Sequence, residues 1–289
     1  MTAPVSLIVN ADDFGYCLPV SRGILEAIQA GAVTATGILA NAPRLDEQLE
    51  LVLGSAPGVD LGVHLNLTFG QPLSKELAGL FGPGAGFPGR NAMVARLLRG
   101  GIPLAAIEAE WRSQIERCIA AGVRPRFLNS HEHVHMLPPL YALTHRLARA
   151  YGIRQVRRVT PETLGARSPA TLIRVGVMAA LAALDRKAGS GPVPRLLGLA
   201  QSGRLDTGYF RRRFPTLKKG SYYELMCHPG YYDPADVPDP RLVRYHAWES
   251  ELQSFLDESF HELCSRHGIR LIGYRHLEGA GTGTEEGAA

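Results

Sequence analysis

The chain has 289 residues, of which 45% are hydrophobic and 20% charged, and its formal net charge is +4 at pH 7. These proportions are typical of a soluble enzyme and exclude a disordered or fibrous protein. The densest basic run, "YFRRRFPTLKKG" at 209–220, is interpreted as a solvated face because the other basic residues are scattered. No nucleic-acid partner is therefore predicted, and the length favours a single domain.

Seven segments in chain order have the length and the β-branched or aromatic content of strands. They are residues 5–11, 32–40, 59–67, 124–130, 153–159, 221–228 and 269–274, with a candidate eighth at 196–200. Amphipathic helical patterns lie between them, and two of these patterns, at 18–31 and 103–122, end at a glycine. Since strands and helices alternate, we predict a parallel sheet with helices outside it, and seven or eight such units favour a TIM-like (β/α) barrel.

Three further features concern the cellular setting of the protein. The N-terminal segment has neither a basic leader nor a cleavable apolar stretch, so a cytoplasmic location is expected. The most apolar segment, 175–184, is too short to span a bilayer and is predicted to be a buried helix, with a membrane-contacting surface helix as the alternative. The cysteines are far apart and show no CxxC spacing, which predicts reduced, structural residues at Cys17, Cys118, Cys227 and Cys264.

Acidic and imidazole side chains occur at the ends of four predicted strands. In an α/β barrel the C-terminal ends of the strands form one face, and catalytic groups lie there. The fourth strand is predicted to continue through "NSHEHVHML", so that its three histidines share one strand face. The residues at the four strand ends are Asp12 and Asp13, then His64 and Asn66, then Asn129, His131, His133 and His135, and finally His228.

These residues together predict a metal site. A lone histidine is more often a hydrogen-bonded core residue than a ligand, and an adjacent pair of aspartates more often forms a turn. Three imidazoles on one strand face are harder to explain in that way, because they would be poorly solvated without a cation or acids nearby. One carboxylate with two imidazoles is a common ligand set for a catalytic divalent metal. The remaining histidines are interpreted as ordinary: His145, His246, His261, His267 and His276.

Four motifs stand in a fixed order along the chain: "LIVNADDFG", "LGVHLNLTFGQPL", "FLNSHEHVHMLP" and "YYELMCHPGYYD". They resemble the YdjC-like carbohydrate deacetylases, which include chitooligosaccharide and hopanoid-associated deacetylases. The resemblance implies a distorted TIM-like barrel in a single domain, residues 1–277. The tail at 278–289 lies outside the resemblance and is expected from its composition to be disordered. The resemblance also implies a hydrolase that removes the N-acetyl group of an amino sugar by attack of a water bound to one divalent ion, Mg²⁺ or Zn²⁺.

The resemblance, followed motif by motif, also implies roles for individual residues. The metal ligands are expected to be Asp13, His64 and His131, and the general base is expected to be Asp12. His228 matches a histidine of the last motif and is the candidate proton donor for the leaving amine. Apart from the resemblance, the candidates for binding substrate or orienting the ligands are Asn66, Asn129, His133, His135 and Tyr231. For His133, His135 and Tyr231 a purely structural role stays open.

The sequence departs from the family pattern at two positions. Asn129 stands where the family usually has aspartate, which puts an anionic role there in question. The arginine expected before "EL" in the last long helix is replaced near Trp248. Neither departure affects the three expected metal ligands.

The expected partner is a small acetylated amino sugar, either a soluble oligosaccharide or a lipid-linked sugar. A glycolipid substrate would bring peripheral membrane contact, and a homodimer is left open. Two other functions stay open: a metal-dependent barrel hydrolase of another substrate, such as a phosphate ester, and a non-catalytic carbohydrate-binding relative. The presence of both Asp12 and Asp13 argues against a pure binding protein, which would not need a base.

Overall fold

A curved parallel sheet forms the centre of the molecule in the computed structural model, which describes residues 3–164, 166, 168–184, 192–237 and 240–277. Each strand overlaps a segment predicted from the sequence, and the candidate eighth segment forms β6. Within the described residues the strands are β1 (Val5–Phe14), β2 (Ala35–Ile38), β3 (Asp60–Leu65), β4 (Phe127–Ser130), β5 (Gln155–Val156), β6 (Arg195–Leu197), β7 (Tyr222–Cys227) and β8 (Ile269–Leu271).

All paired strands run parallel, in the spatial order β5-β4-β3-β2-β1-β7-β6, with β8 added to β1. β7 pairs with Ser6–Ala11 along one edge of β1. On the other edge, β8 pairs with Val5–Leu7 and β2 pairs with the part of β1 that begins at Asn10. Among the described residues no hydrogen-bonded pairing joins β5 to β6, and this gap is the seam of the barrel. The single α/β domain is therefore a distorted TIM-like barrel, and the predicted fold class is confirmed.

Helices cover the outside of the sheet, as the alternating pattern predicts. The predicted helices at 18–31 and 103–122 are α1 and α5, and α1 has a proline in its first turn, where a missing N–H is tolerated. In the described chain the helices are α1 (Leu18–Gln29), α2 (Leu45–Ser55), α3 (Lys75–Phe81), α4 (Arg90–Leu98), α5 (Leu104–Ala120), α6 (Pro138–Ala150), α7 (Pro169–Leu184), α8 (Thr207–Arg213), α9 (Pro240–Tyr245), α10 (Trp248–Leu256) and α11 (Glu258–Arg266).

Alternate strand residues face the inside of the barrel, where an apolar layer lies beneath a polar one. Ile8 of β1 packs with Phe127 and Tyr274, whose stacked rings have centroids 4.2 Å apart. Asn10 and Asp12 follow Ile8 at the same strand parity and are also buried. The apolar layer therefore closes the barrel on the N-terminal side of the strands and leaves the polar residues at the C-terminal face.

The prediction that residues 175–184 form a buried helix is wrong in its burial. The segment belongs to α7, which lies in the connection between β5 and β6, at the seam of the barrel. Val175 and Ala182 are the buried residues of α7, whereas Val177 and Leu184 of the predicted segment are 48% and 71% exposed. Periodicity could not reveal this, because α7 is apolar on its outer face as well.

Within the described residues, no helix combines the length and the apolar character that crossing a membrane requires.

Other sequence expectations concern the surface and the thiols. The four cysteines are free and buried, as predicted. The basic run at 209–220 includes α8, whose Arg211 and Arg212 are exposed, in agreement with a solvated face. The tail predicted to be disordered, 278–289, lies outside the described residues.

Candidate active site

Polar side chains at or just beyond the ends of β1, β3, β4 and β7 meet at the C-terminal face of the barrel. Asp12, Asp13, His64 and His228 are buried, and His131 is partly exposed. Since the strands are parallel and adjacent, residues that are distant in sequence arrive at one edge. In the described structure, ligand atoms of Asp13, His64 and His131 all lie within 4.8 Å of one another.

Asp13 lies between two imidazoles. Its Oδ1 is 3.2 Å from Nε2 of His64 and 2.7 Å from Nδ1 of His131. Burial opposes the ionisation of Asp13, yet His131 and His64 hold the pKa of this carboxyl well below its usual value. Burial would likewise lower the pKa of His131, but the Asp13 carboxylate raises it to about 9. Without a metal, the pair is therefore a carboxylate beside an imidazolium at neutral pH.

The adjacent carboxylates of Asp12 and Asp13 point to different places because the backbone turns between them. Asp13 has a φ of 70°, in the left-handed region that costs a non-glycine residue about 1–3 kcal/mol. The register of β1 against β2 also shifts between Ala11 and Phe14, as in a β-bulge. This bulge aims Asp13 at the histidines and leaves Asp12 inside the barrel.

Asp12 is held by Arg157, a contact that the sequence analysis did not foresee. Arg157 donates hydrogen bonds to Oδ2 of Asp12 over 2.5 Å and to Oδ1 over 2.8 Å, and both side chains are buried. Arg157 also donates to Glu224 over 2.6 Å, and Asn10 donates to the same Glu224 oxygen over 3.2 Å. Burial would raise the pKa of Asp12, but Arg157 and His64 lower it to about 2. Asp12 is therefore ionised at neutral pH.

Asn129 connects Asp12 to His64 and fixes the tautomer of that imidazole. Its Nδ2 donates to Oδ1 of Asp12 over 2.9 Å, and its Oδ1 lies 2.7 Å from Nδ1 of His64. An ionised carboxylate can only accept hydrogen bonds, so the amide nitrogen faces Asp12 and the amide oxygen faces His64. Nδ1 of His64 therefore carries the proton, which leaves Nε2 free to bind a metal beside Asp13.

This geometry explains why an amide suits position 129. An ionised aspartate in place of Asn129 would set a second carboxylate against Asp12 and could not donate to it. Gly37 also makes room for the pair, since a Cβ at this position would lie 3.1 Å from Oδ1 of Asn129 and 3.2 Å from Nδ1 of His64. The departure from the family pattern is thus compatible with an intact hydrogen-bond chain.

The predicted strand face of three histidines is wrong. β4 ends at Ser130, and His131–Met136 form a 3₁₀ turn in which Glu132 and His133 have left-handed φ values of 54° and 57°. The turn replaces the period of two that a strand would impose. Of the three histidines, His131 is the one that contacts Asp13 in the described structure.

His133 and His135 lie in different surroundings beyond this turn. Nε2 of His135 donates to the backbone carbonyl of Arg157 over 3.0 Å, and its Nδ1 accepts from the Ser130 hydroxyl over 2.5 Å. Burial lowers the pKa of His135 to about 3, so this ring is neutral and supports the backbone of Arg157. Burial and Arg157 also hold the pKa of His133 well below its usual value, and Nδ1 of His133 has no hydrogen-bond partner among the described residues.

His228 offers a free imidazole nitrogen at the end of β7. Its backbone N–H donates to Glu251 over 2.7 Å, whereas its Nδ1 has no hydrogen-bond partner within the described chain. Burial lowers the pKa of His228, although Asp13 and Asp12 oppose this effect. His228 is therefore neutral at rest and able to form a hydrogen bond with a bound molecule.

His246, interpreted from the sequence as an ordinary residue, lies next to His228. The two ring centroids are 5.0 Å apart, and His246 also stacks on Trp248 at 4.8 Å. Trp248 lies parallel to Tyr232 at 6.1 Å. Burial lowers the pKa of His246 to about 3, so this row of rings is uncharged. The position near Trp248 at which the sequence departs from the family pattern therefore lies in this row of rings, next to His228.

A second aromatic group borders the metal-ligand set. Tyr16 stacks on Phe69 with centroids 4.2 Å apart, and these rings lie 6.5 and 6.3 Å from the ring of His131. Asn66 shapes the loop that carries Phe69, since it accepts from the backbone N–H groups of Thr68 and Phe69 and donates to the Phe69 carbonyl. Sequence reasoning missed this pair because neither aromatic residue stands out in its segment.

Tyr231, for which substrate contact is expected, is bound to the outer helix α1. Its hydroxyl donates to Glu26 over 2.5 Å, and its backbone N–H donates to the carbonyl of Pro19 over 3.2 Å. The side chain is 36% exposed.

Sequence reasoning missed Arg157, Glu224 and His246. Glu224 stands at an interior position of the otherwise apolar and aromatic strand "YYELMC", and a lone acid there is a signal for a buried partner. Arg157 gives a weaker signal, because Arg154 and Arg158 share its short segment and any of the three could face solvent.

The grouped residues fit a divalent cation. Ligand atoms bound about 2.0–2.2 Å from one ion lie about 3 Å apart, and the separations at Asp13 are 2.7 and 3.2 Å. One carboxylate oxygen and two imidazole nitrogens are a donor set that zinc and other divalent metals accept in catalytic sites. Asp13, His64 and His131 are therefore the residues that would hold such an ion.

A parallel (β/α) barrel with one carboxylate and two imidazoles grouped at its C-terminal face defines the class of the protein: an α/β barrel with a candidate metal centre. The chain belongs to the YdjC-like protein family, whose profile matches residues 6–266. The resemblance inferred from the four motifs is thereby confirmed.

Individual relatives cover nearly the whole chain or about half of it. A carbohydrate deacetylase of Geobacillus stearothermophilus is 31% identical over 276 residues, which are 95% of this chain and 98% of that protein. A chitooligosaccharide deacetylase of Escherichia fergusonii is 38% identical over 153 residues, 51% of this chain and 57% of that protein. Among solved structures, a protein of Enterococcus faecalis V583 named for cellobiose-phosphate cleavage has a TM-score of 0.70 at 26% identity and covers 95% of this chain and 99% of its own.

Proposed function

We propose that this protein is a metal-dependent carbohydrate deacetylase that hydrolyses the N-acetyl group of an acetylated amino sugar. The observation that carries the proposal is the grouping of Asp13, His64 and His131 next to the ionised Asp12. The names of the two relatives described above support the substrate class. Amide hydrolysis needs an activated water, a polarised carbonyl and a proton for the leaving amine.

Asp13, His64 and His131 would hold the cation. When bound, a divalent cation lowers the pKa of a coordinated water and polarises the acetamide carbonyl. His64 is prepared for this role because Asn129 keeps its proton on Nδ1. His131 must lose the proton that Asp13 stabilises before its Nδ1 can bind a metal.

Asp12 takes the proton of the attacking water. Arg157 and Asn129 fix the carboxylate inside the barrel, and among the described residues Oδ2 accepts a hydrogen bond only from Arg157. Oδ2 therefore retains a lone pair for the incoming proton. With its pKa lowered to about 2, Asp12 is a weak base. A divalent cation held by Asp13, His64 and His131 would lower the pKa of a neighbouring water and so reduce the difference in basicity that Asp12 must overcome.

His228 gives a proton to the departing amine. Its imidazole is neutral at rest because burial lowers its pKa. The proton that it delivers must therefore be acquired during the catalytic cycle, and the water proton released to Asp12 is its source in this proposal. The unpaired Nδ1 of His228 is the atom available for this transfer.

The pair formed by Tyr16 and Phe69 provides an apolar ring surface beside His131. Sugar rings have apolar faces, so this pair is suited to orient the pyranose that carries the acetamide. The stacked rings of His246 and Trp248 form a second ring surface, next to His228.

Acetate release from a panel of N-acetylated sugars and sugar lipids, with the protein stripped of metal and then loaded with Mg²⁺ or Zn²⁺, tests the proposal. We expect metal-dependent release of acetate and a free amine in equal amounts. His64→Ala and His131→Ala should lose bound metal and activity, whereas His145→Ala, which changes a histidine of helix α6, should retain both.

Phosphate esters are included in the same panel as the competing substrate class. Cleavage of phosphate esters without acetate release from any amino sugar would assign the site to a different hydrolase. Sugar binding without turnover of any substrate would assign the protein to the non-catalytic alternative.

A further inference from the structure

α7 presents an apolar face to solvent. Its sequence, "PATLIRVGVMAALAAL", contains a single charged residue, Arg174, and its buried positions are Val175 and Ala182. A helix on the surface of a globular protein normally carries polar residues on its outer face. The large side chains of this outer face, 48–71% exposed, are Leu172, Ile173, Val177 and Leu184. A contiguous exposed apolar surface of this kind marks an interaction site.

A basic cleft borders this face. The cleft has a volume of about 470 Å³, and Arg174 of α7 lines it together with Arg204 and Arg244. Its described lining contains one acidic side chain, Asp206. Arg174 lies over the ring of Tyr245 at 5.7 Å from the centroid, which fixes one guanidinium at the junction between the cleft and the helix. The surface thus combines an apolar stripe with a positive flank.

We propose that this surface, α7 with the adjoining arginine cleft, binds the surface of an anionic phospholipid bilayer. The apolar side chains would enter the boundary between headgroups and acyl chains, and the three arginines would lie at the level of the phosphates. α7 has 16 residues, and the sequence continues with the charged residues "DRK" at 185–187. This apolar stretch is shorter than the roughly 20 residues that cross a bilayer, so the helix lies along the surface.

Charge favours a bilayer over a second copy of this chain. In an antiparallel twofold contact through α7, the arginine flank of one copy would lie on the same side as that of the other copy, and the two positive flanks would repel each other. Asp206 would offset only part of that positive charge. Headgroup phosphates instead supply pairs of acceptor oxygens that match the planar donor fork of a guanidinium.

The position of α7 places such a bilayer next to the candidate active site. α7 contacts the 3₁₀ turn that carries His131, and it also contacts the short helical turn at Leu199–Gln201. Membrane binding itself requires no turnover, so its test needs no carbohydrate and its outcome is independent of the proposed reaction.

Flotation of the full-length protein with vesicles tests the proposal. Vesicles of phosphatidylcholine with about one third phosphatidylglycerol should carry the wild type, and pure phosphatidylcholine should carry much less. The combined variant Leu172→Ser, Ile173→Ser and Val177→Ser should reduce partitioning about 10-fold or more. A matched control changes three exposed residues of α4 and α5 and should bind like the wild type: Leu98→Ser, Leu104→Ser and Ile119→Ser.

The arginines provide a second, independent readout. Replacing Arg174, Arg204 and Arg244 with glutamine should remove the preference for anionic vesicles and the sensitivity of binding to salt. Circular dichroism of each variant establishes that it is folded. If the α7 variant fails to fold, the glutamine variant alone decides the result.

Three outcomes overturn the proposal. The first is a wild type that floats with neither kind of vesicle, and the second is binding that survives both the serine and the glutamine substitutions. The third is a dimer, measured by light scattering, that the α7 variant converts to a monomer while no form of the protein binds vesicles. That result would assign the face to a second copy of the chain.

Discussion

Arg157 donates hydrogen bonds to both carboxylate oxygens of Asp12, over 2.5 and 2.8 Å, at a place where neither side chain is appreciably exposed. Removing the guanidinium would leave Asp12 and Glu224 buried without their shared cation. We expect Arg157→Met to lower the free energy of unfolding by about 3–5 kcal/mol, measured by urea denaturation at pH 7. Arg195→Met, at an exposed position of β6, should change it by less than about 0.5 kcal/mol. Equal stability of the two variants would contradict this account.

The two adjacent aspartates should separate metal binding from turnover. Asp12→Asn should keep the metal and lose about 10²- to 10⁴-fold in kcat, because the amide is nearly isosteric but cannot accept a proton. Asp13→Asn should lose both, since it removes a ligand. Metal content after dialysis and kcat on the best substrate decide the matter. If the Asp12 variant lost its metal while the Asp13 variant kept it, the roles would be reversed.

Metal binding should release a proton from His131. Asp13 raises the pKa of His131 to about 9, so the imidazole is charged at pH 7, and a metal binds only the neutral form. We expect release of about one proton per metal ion at pH 7 and an affinity that rises with pH until about pH 9. Calorimetry in two buffers of different ionisation enthalpy measures the proton count, and His145→Ala is the control. Proton release near zero at pH 7 would contradict the prediction that His131 is charged in the metal-free protein.

The same pair should affect the stability of the metal-free protein. A histidine whose pKa is raised on folding stabilises the folded state fully below its ordinary value of 6.5. This contribution is lost as the pH rises through about 9. His131→Gln should therefore flatten the decline in metal-free stability between these pH values, as followed by urea denaturation across the range.

Asn129→Leu should weaken metal binding without removing a ligand. The variant deletes both the hydrogen bond to Asp12 and the one that holds the proton on Nδ1 of His64. Loss of such an orienting partner typically costs about 10- to 100-fold in metal affinity or activity. A competitive chelator titration measures the change. Asn91→Leu, at an exposed position of α4, serves as the control and should bind metal like the wild type.

Phe69→Leu should weaken substrate binding more than it slows the reaction. The ring stacks on Tyr16 beside His131 and touches no proposed catalytic atom. We expect KM to rise by about 2- to 10-fold with kcat nearly unchanged. Phe81→Leu, in the neighbouring pair of Phe81 and Phe87, is the matched control. A loss confined to kcat would show that Phe69 positions the reacting groups instead.

The barrel and the meeting of acids and histidines at one of its faces were predictable from local patterns, whereas the selection of Asp13, His64 and His131 came from the resemblance of the four motifs. Apolar strand segments alternate with helices, and parallel strands bring their C-terminal ends to one face whatever the details of the loops. His64 lies on the same face of β3 as Gly62, as the alternation of side chains along a strand predicts. His131 reaches Asp13 although the strand predicted to carry it ends one residue earlier.

Other features depended on tertiary context. The left-handed residues Glu132 and His133 break the expected parity, and their φ values depend on packing that no local propensity reports. To identify Arg157 as the partner of Asp12, one must know which of the arginines that flank β5 faces the inside of the barrel. The prediction that residues 175–184 are buried is wrong because an apolar composition is compatible both with a helix in the core and with a helix whose apolar face is exposed.

β1 pairs with β2, which follows it closely in the sequence, but its other two neighbours, β7 and β8, are synthesised much later. Ser6–Ala11 pairs with Tyr222–Cys227, and Val5–Leu7 pairs with Ile269–Leu271 near the end of the described chain. Until those segments are synthesised, the nascent chain carries an apolar strand with an unpaired edge, which is prone to associate with other chains. Co-translational folding of the centre of the barrel must therefore wait for β8. Premature termination before Ile269 would release a polypeptide that chaperones must retain or proteases must remove.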